Sequence, residues 1–245
     1  MLSLSLSAQA TNQGTLLCDR LNTVKFGAVE NFYRFIRLSG GVLAIGIVFY
    51  ALPYFIPGMP TAFYYQREIY LERWMWVYAH IAGGSVALGL TPFQLWARVR
   101  ERHPRYHRLA GRAIALAVVV SALAGLGLAT TAYGGTSNRW GFGALSIAWL
   151  VTTAVAVVAA RNRRFTQHRE WMVRSAALTM AAVTLRLWMG TLSPIIGFEA
   201  TYAMLGWLCW VPNLVVAEWW IRTRRTKPAL ASRDHDHVVA RIGGP

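Results

Sequence analysis

Residues 109–131 read LAGRAIALAVVVSALAGLGLATT, with a single charge, Arg112, close to the start. A bilayer core about 30 Å thick takes roughly 20 residues of helix at about 1.5 Å each. The apolar residues run without the alternation that a barrel strand needs, and lipid offers no partner for a free main-chain group. The segment therefore predicts a membrane-spanning helix. Five further stretches satisfy the same length and composition: Phe35–Phe55, Met75–Trp96, Phe142–Ala160, Trp171–Met189 and Tyr202–Ile221. The expected fold is all-α, a six-helix transmembrane bundle over residues 34–222. A polar leader, 1–33, precedes it, and a polar tail without fixed structure, 223–245, follows it.

Composition agrees with this reading. The chain is 55% hydrophobic and only 14% charged, too apolar for an ordinary soluble domain. A net charge of +15 would point to nucleic acid in a soluble protein. Here the cations instead cluster in short segments between apolar runs. Arg20, Lys25, Arg34 and Arg37 precede the first run, and Arg98, Arg100, Arg102, Arg105, Arg108 and Arg112 follow the second. Arg161, Arg163, Arg164, Arg169 and Arg174 join the fourth to the fifth, and Arg222, Arg224, Arg225 and Lys227 follow the sixth. The alternate connections hold only Arg67 and Arg73, then Arg139, then none. The positive-inside rule predicts both termini in the cytoplasm of a cell with the protein in its inner membrane, and no role in nucleic-acid binding. No cleaved signal peptide or lipidation signal is expected, and Cys18 and Cys209 do not predict a disulfide.

Small residues at helix-packing spacing, Ser85 with Gly89 and Ser121 with Gly125, predict close helix crossings. Tryptophans such as Trp74, Trp76, Trp140, Trp171, Trp219 and Trp220 fall near span ends, where amphipathic rings favour headgroups. The Asp-His-Asp-His run with His235 and His237 reads as part of the unstructured tail rather than as a metal site.

The chain carries no phosphate-binding loop, dinucleotide fingerprint, His-Glu-x-x-His pair or nucleophile elbow. What it does carry is a repeated turn. The third span opens Arg105-Tyr-His107-Arg108-Leu-Ala-Gly-Arg112, behind Pro104 at the first helical position. The fifth opens Gln167-His168-Arg169-Glu170-Trp-Met-Val-Arg174, with Thr166 as its expected cap. The two histidines stand 61 residues apart at equivalent depth, which suggests diverged copies of one helical hairpin. Two imidazoles facing each other from different helices are what six-coordinate haem b requires, and flanking arginines neutralise its propionates. His107 and His168 are the expected axial ligands, with Arg108, Arg112, Arg169 and Arg174 beside them. The competing reading makes the same turns anchors for the bilayer, binding anionic lipid headgroups in a small transporter or an accessory subunit of a membrane complex.

His80 lies near the other end of the second span, more than about 20 Å from His107 along the membrane normal, and so belongs to a different site. Arg186, inside the fifth span, joins it in an expected outer polar site for a quinone or another redox partner. Pro92 and Gln94 lie under the histidine pair, where a kink and an amide would shape a pocket.

The histidine of the second span, Phe93-Gln94, His107-Arg108-x-x-Gly111-Arg112, His168-Arg169-x-Trp171-Met172-x-Arg174 and Arg186 resemble a bacterial family of predicted membrane proteins, domain of unknown function 2306. The resemblance covers roughly Tyr78 to Met189 and implies no established activity. A more distant similarity is to six-span cytochrome b and ferric-reductase-like proteins, in which histidines of the third and fifth helices share a haem. That likeness implies a membrane oxidoreductase or electron-transfer subunit. It also calls for a second histidine pair on the second and fourth helices, and the fourth helix here has none.

Overall fold

The computed structural model describes residues 38–56 and 71–225; the leader with Cys18, Arg67 and the tail with His235 and His237 lie outside the described residues. Every regular element among the described residues is a helix. Helix α1 spans 38–51 and tightens into a 3-10 turn, Leu52–Phe55, in which Pro53 takes an early position. There follow α2 (Trp74–Gln94), α3 (Ala97–Arg102), α4 (Pro104–Ala129), α5 (Thr136–Arg161), α6 (Phe165–Thr179), α7 (Ala181–Ile196), α8 (Phe198–Leu208) and α9 (211–225). Among the described residues, five stretches are long and apolar enough to cross a membrane: Leu38–Phe55, Pro104–Ala129, Thr136–Arg161, Phe165–Ile196 and Phe198–Arg225. The expected second span, Met75–Trp96, is helical as far as Gln94 but is not among the five. All packing described below lies within the unit that begins at Ala44.

Helix α2 packs on α4, α4 on α5, α5 on α6, and α6 back on α2. These four helices close a ring in which α4 and α6 stand on one diagonal. Ala87, Ile114, Val118, Trp149 and Leu178 fill its middle, and the Trp149 indole donates to Thr179 Oγ1 at 3.0 Å. Burial of such side chains from lipid brings little hydrophobic gain, so close packing and interhelical hydrogen bonds, each about 0.6 kcal/mol, must hold the helices together.

Two crossings bring backbones into contact. A Cβ on Gly83 of α2 would lie 2.6 Å from the Ala117 carbonyl of α4. One turn away, Ser121 Oγ donates to the His80 carbonyl at 2.8 Å, and His80 Nδ1 bonds the Ser121 carbonyl at 2.9 Å. The second crossing joins α5 and α8, where a Cβ on Gly141 would meet the backbone of Gly206 at 2.5 Å. Asn138, fully buried, completes that crossing. Its amide donates to the Tyr133 and Tyr202 carbonyls at 2.7 and 2.8 Å, and its oxygen accepts the Gly206 N–H.

Several local expectations need correction. The connection after the second segment carries a short helix, α3, over Ala97–Arg102. Thr166 does not cap the fifth span: the helix starts at Phe165, with Arg164 at the cap position and no side-chain cap. Pro104 does sit in the first turn of α4. The fifth and sixth stretches are each jointed, at Met180 and at Cys209–Trp210. At the second joint the Trp210 indole takes the Gly206 carbonyl at 2.7 Å, while its main-chain N–H bonds Trp207 at 3.3 Å. Asn213 lies between the joints and donates to the Ala177 and Cys209 carbonyls and to Thr184 Oγ1, at 3.1–3.3 Å. Thr184 in turn donates to the Cys209 carbonyl.

Helix α5 ends in a turn that places Arg163 at φ 57°, with the Arg163 and Arg164 N–H groups bonded to the Ala160 and Ala159 carbonyls. This is the hydrogen-bond pattern of a Schellman end, where glycine is usual. A non-glycine residue there costs about 1 kcal/mol or more.

The α2–α4 contact gives a direct test. Gly83→Ala should cost about 1–3 kcal/mol through overpacking against an immovable carbonyl. It should lower the thermal midpoint in detergent well below that of Gly46→Ala, since nothing lies within 4 Å of a Cβ at Gly46. Equal midpoints for the two variants would contradict the close approach.

Candidate functional site

On α4, His107 lies on the inward stripe that continues through Gly111, Ile114, Val118 and Ser121, spaced three and four residues apart. The imidazole is half-buried. Its Nδ1 is shut off from solvent and has no hydrogen-bond partner. Gln94, at the end of α2, donates Nε2 to the His107 carbonyl at 2.8 Å, and Gly111 passes beside that amide. The expected amide under the histidines is thus present, and it clamps the backbone that carries His107. Thr91, one turn back from Gln94, returns its hydroxyl to the Ala87 carbonyl at 2.7 Å.

On α6, His168 is half-buried and points towards α5, where its Nδ1 bonds the Ala156 carbonyl at 2.8 Å. A carbonyl only accepts, so this bond places the proton on Nδ1 and leaves Nε2 as a lone-pair donor. His168 is near enough to His107 to act on it electrostatically, as are Arg100 and Arg108. His107 and His168 thus stand in the first turns of α4 and α6, at the same end of two helices on one diagonal of the ring.

The four flanking arginines separate. Arg108 and Arg112 lie on the exposed side of α4, in line with Leu116, and Arg169 is exposed on α6. Arg174 is engaged elsewhere. Its guanidinium lies 4.6 Å from the Trp171 ring centre and donates to Glu218 Oε2 of α9 through Nε at 3.0 Å and Nη2 at 2.6 Å. Glu218 also accepts from Arg222 Nε at 3.0 Å, and Glu170 pairs with Arg225. Reading the sequence missed both carboxylates. Glu218 was detectable, because an acid within the run Val215-Val216-Ala217-Glu218-Trp219-Trp220 is an ionisable group in an apolar span.

At the other end of the ring, His80 is fixed to Ser121 and lies above Gly125, whose added Cβ would meet Nδ1 at 3.2 Å and Ser146 Oγ at 2.8 Å. Ser121 is 14 residues along α4 from His107, about 21 Å at 1.5 Å per residue. The two histidines therefore belong to separate sites. Arg186 donates to the Ala182 carbonyl at 2.8 Å and lies 5.6 Å from the Tyr50 ring centre. It acts electrostatically on both His80 and Tyr54. The expected outer pair is thus gathered with two tyrosines of the α1 segment. Among the described residues, no three histidine, cysteine or acidic side chains converge as a metal-binding group, and Cys209 is a buried free thiol.

Residues 77–221, more than half of the chain, match the family described as predicted membrane protein, domain of unknown function 2306 (DUF2306). The chain belongs to that family. The DUF2306 region begins inside α2 and ends near the close of α9, so it contains both histidine sites and also the partners Asn213 and Glu218. No curated protein and no solved structure matches this DUF2306 chain.

The Arg174–Glu218 pair predicts a measurable coupling. The side chains are 14% and 32% exposed, between the buried and surface limits. Glu218→Gln and Arg174→Gln should each destabilise the protein, with a coupling of about 1–2 kcal/mol in a double-mutant cycle of thermal unfolding. Additive losses would mean that the pair contributes nothing.

Proposed function

We propose that this DUF2306 protein is an electron-transfer protein of the bacterial inner membrane that carries one b-type haem between His107 and His168. What supports the reading is that two half-buried imidazoles, near enough to act on each other electrostatically, stand at one end of diagonal helices of a four-helix ring, the kind of place where bundles hold cofactors. The donor set fits the group. His168 has its Nδ1–H oriented by the Ala156 carbonyl, the arrangement that fixes the tautomer of a metal-bound histidine and frees Nε2. His107 has a buried ring nitrogen without a partner, as expected of a residue whose ring is completed by something other than protein.

When bound, haem b supplies a reversible one-electron couple. His107 and His168 would hold it, Gln94 would fix the backbone that carries His107, and Arg100 and Arg108 would meet the propionates. Arg174 is assigned to Glu218 instead. The topology that goes with this reading has six spans, with α2 as the second. Its 21 residues give about 32 Å of helix. Both termini and the histidine pair then lie on the cytoplasmic side, and the two His-Arg turns are related by an internal repeat. His80, Arg186 and Tyr50 would receive a quinone at the outer face. A non-redox membrane protein, a small transporter or an accessory subunit, is favoured by one observation: Arg112 and Arg169 are exposed, as lipid anchors should be.

Purified protein should show a Soret band that shifts on reduction with dithionite. His107→Ala and His168→Ala should each abolish it, and His80→Ala should leave it in place. A colourless preparation, loaded with haemin and still without a band, would refute the haem and favour the non-redox reading.

A further inference from the structure

Away from the histidine pair, α4 and α5 part to leave an apolar groove of about 430 Å³. Leu116 and Val119 form one wall, Leu150, Ala154 and Val157 the other, and Arg161 closes one end. The groove exists because Ala115 and Ala154 are too small to fill the gap between the helices, and it faces outward, with Leu116 67% exposed.

The end marked by Arg161 is strongly basic. Arg163 and Arg164 follow in the same turn, both exposed, and Arg163 occupies a left-handed position where glycine would be less strained. From the opposite wall Arg112, also exposed, stands three and four residues before Ala115 and Leu116 and so shares their face. The two helices run antiparallel, so the start of α4 with Arg112 lies towards the end of the groove that Arg161 closes. None of these arginines pairs with a carboxylate among the described residues. An apolar channel that ends in paired guanidiniums matches an amphiphile with a long hydrocarbon chain and a phosphate, which arginine binds through two N–H groups at once. A zwitterionic headgroup would bring its own cation into the same cluster and be disfavoured.

We propose that the α4–α5 groove binds one acyl chain of an anionic phospholipid, with its phosphate held by Arg161 and Arg112. The site is independent of the haem and uses none of its ligands. Native mass spectrometry of the detergent-purified full chain, titrated with phosphatidylglycerol, phosphatidylcholine and soluble glycerol phosphate, tests it. Phosphatidylglycerol should be retained at one per chain and phosphatidylcholine much less, with no uptake of glycerol phosphate. Arg161→Gln should weaken retention roughly fivefold, the worth of one basic side chain near an anionic surface. Ala154→Phe fills the groove and keeps every arginine, so it should remove the retained lipid; unchanged thermal midpoints for both exposed-site variants exclude misfolding. Equal retention of the two lipids, full retention by Ala154→Phe, or binding of glycerol phosphate as strong as that of the lipid would overturn the proposal.

Discussion

Helices that meet in hydrocarbon gain little from hiding apolar surface, because lipid is as apolar as leucine. Their association rests on close approach, and the decisive approach here is between α2 and α4 at Gly83. With no Cβ at that position, the Ala117 carbonyl lies against the α2 backbone, and the reciprocal bonds between His80 and Ser121 then form one turn away. This contact fixes the height of α2 against α4. Gln94 consequently reaches the His107 carbonyl, and α6 closes the ring on the far side. The same principle recurs between α5 and α8, where Asn138 uses its whole amide to bind a crossing that Gly141 and Gly206 make close.

The arginines that cluster in the sequence at one end of the bundle divide into different kinds of work once they are folded. Arg174 holds α6 to α9 through Glu218. Arg100 and Arg108 place positive charge near His107, and Arg161 closes one end of the groove between α4 and α5. What separates these roles is helical phase. His107 shares a face with Ile114 and Val118, which are buried, whereas Arg112 shares one with Leu116, which is exposed.

Length and apolar composition were enough to read the all-helical membrane architecture, since hydrocarbon leaves the backbone almost no alternative. The second helix is the exception, and its polar residues, His80 and Gln94 among them, are the ones that tie it to α4. The placement of His107 and His168 at one end of the ring could be anticipated from their matching positions in two first turns, and the isolation of His80 followed from helix rise alone. Partners set by tertiary contact were not readable. Nothing local to Arg174 announces Glu218, 44 residues on, and nothing local to Met180 announces a joint, because Asn213 comes from another helix. The position of Arg163 was also hidden, since a helix end is ordinarily marked by glycine and this one is not.

The two joints bear on how the chain is made. With 15 residues, α6 rises only about 22 Å, and α7, α8 and α9 are of similar or smaller length, so each stretch crosses only as a jointed pair. The seals are shared between the pairs: Asn213 comes to the Ala177 carbonyl from α9, and Thr184 goes to the Cys209 carbonyl from α7. The hydrogen bonding around the Met180 joint is therefore complete only when α9, which follows it in the chain, is in place.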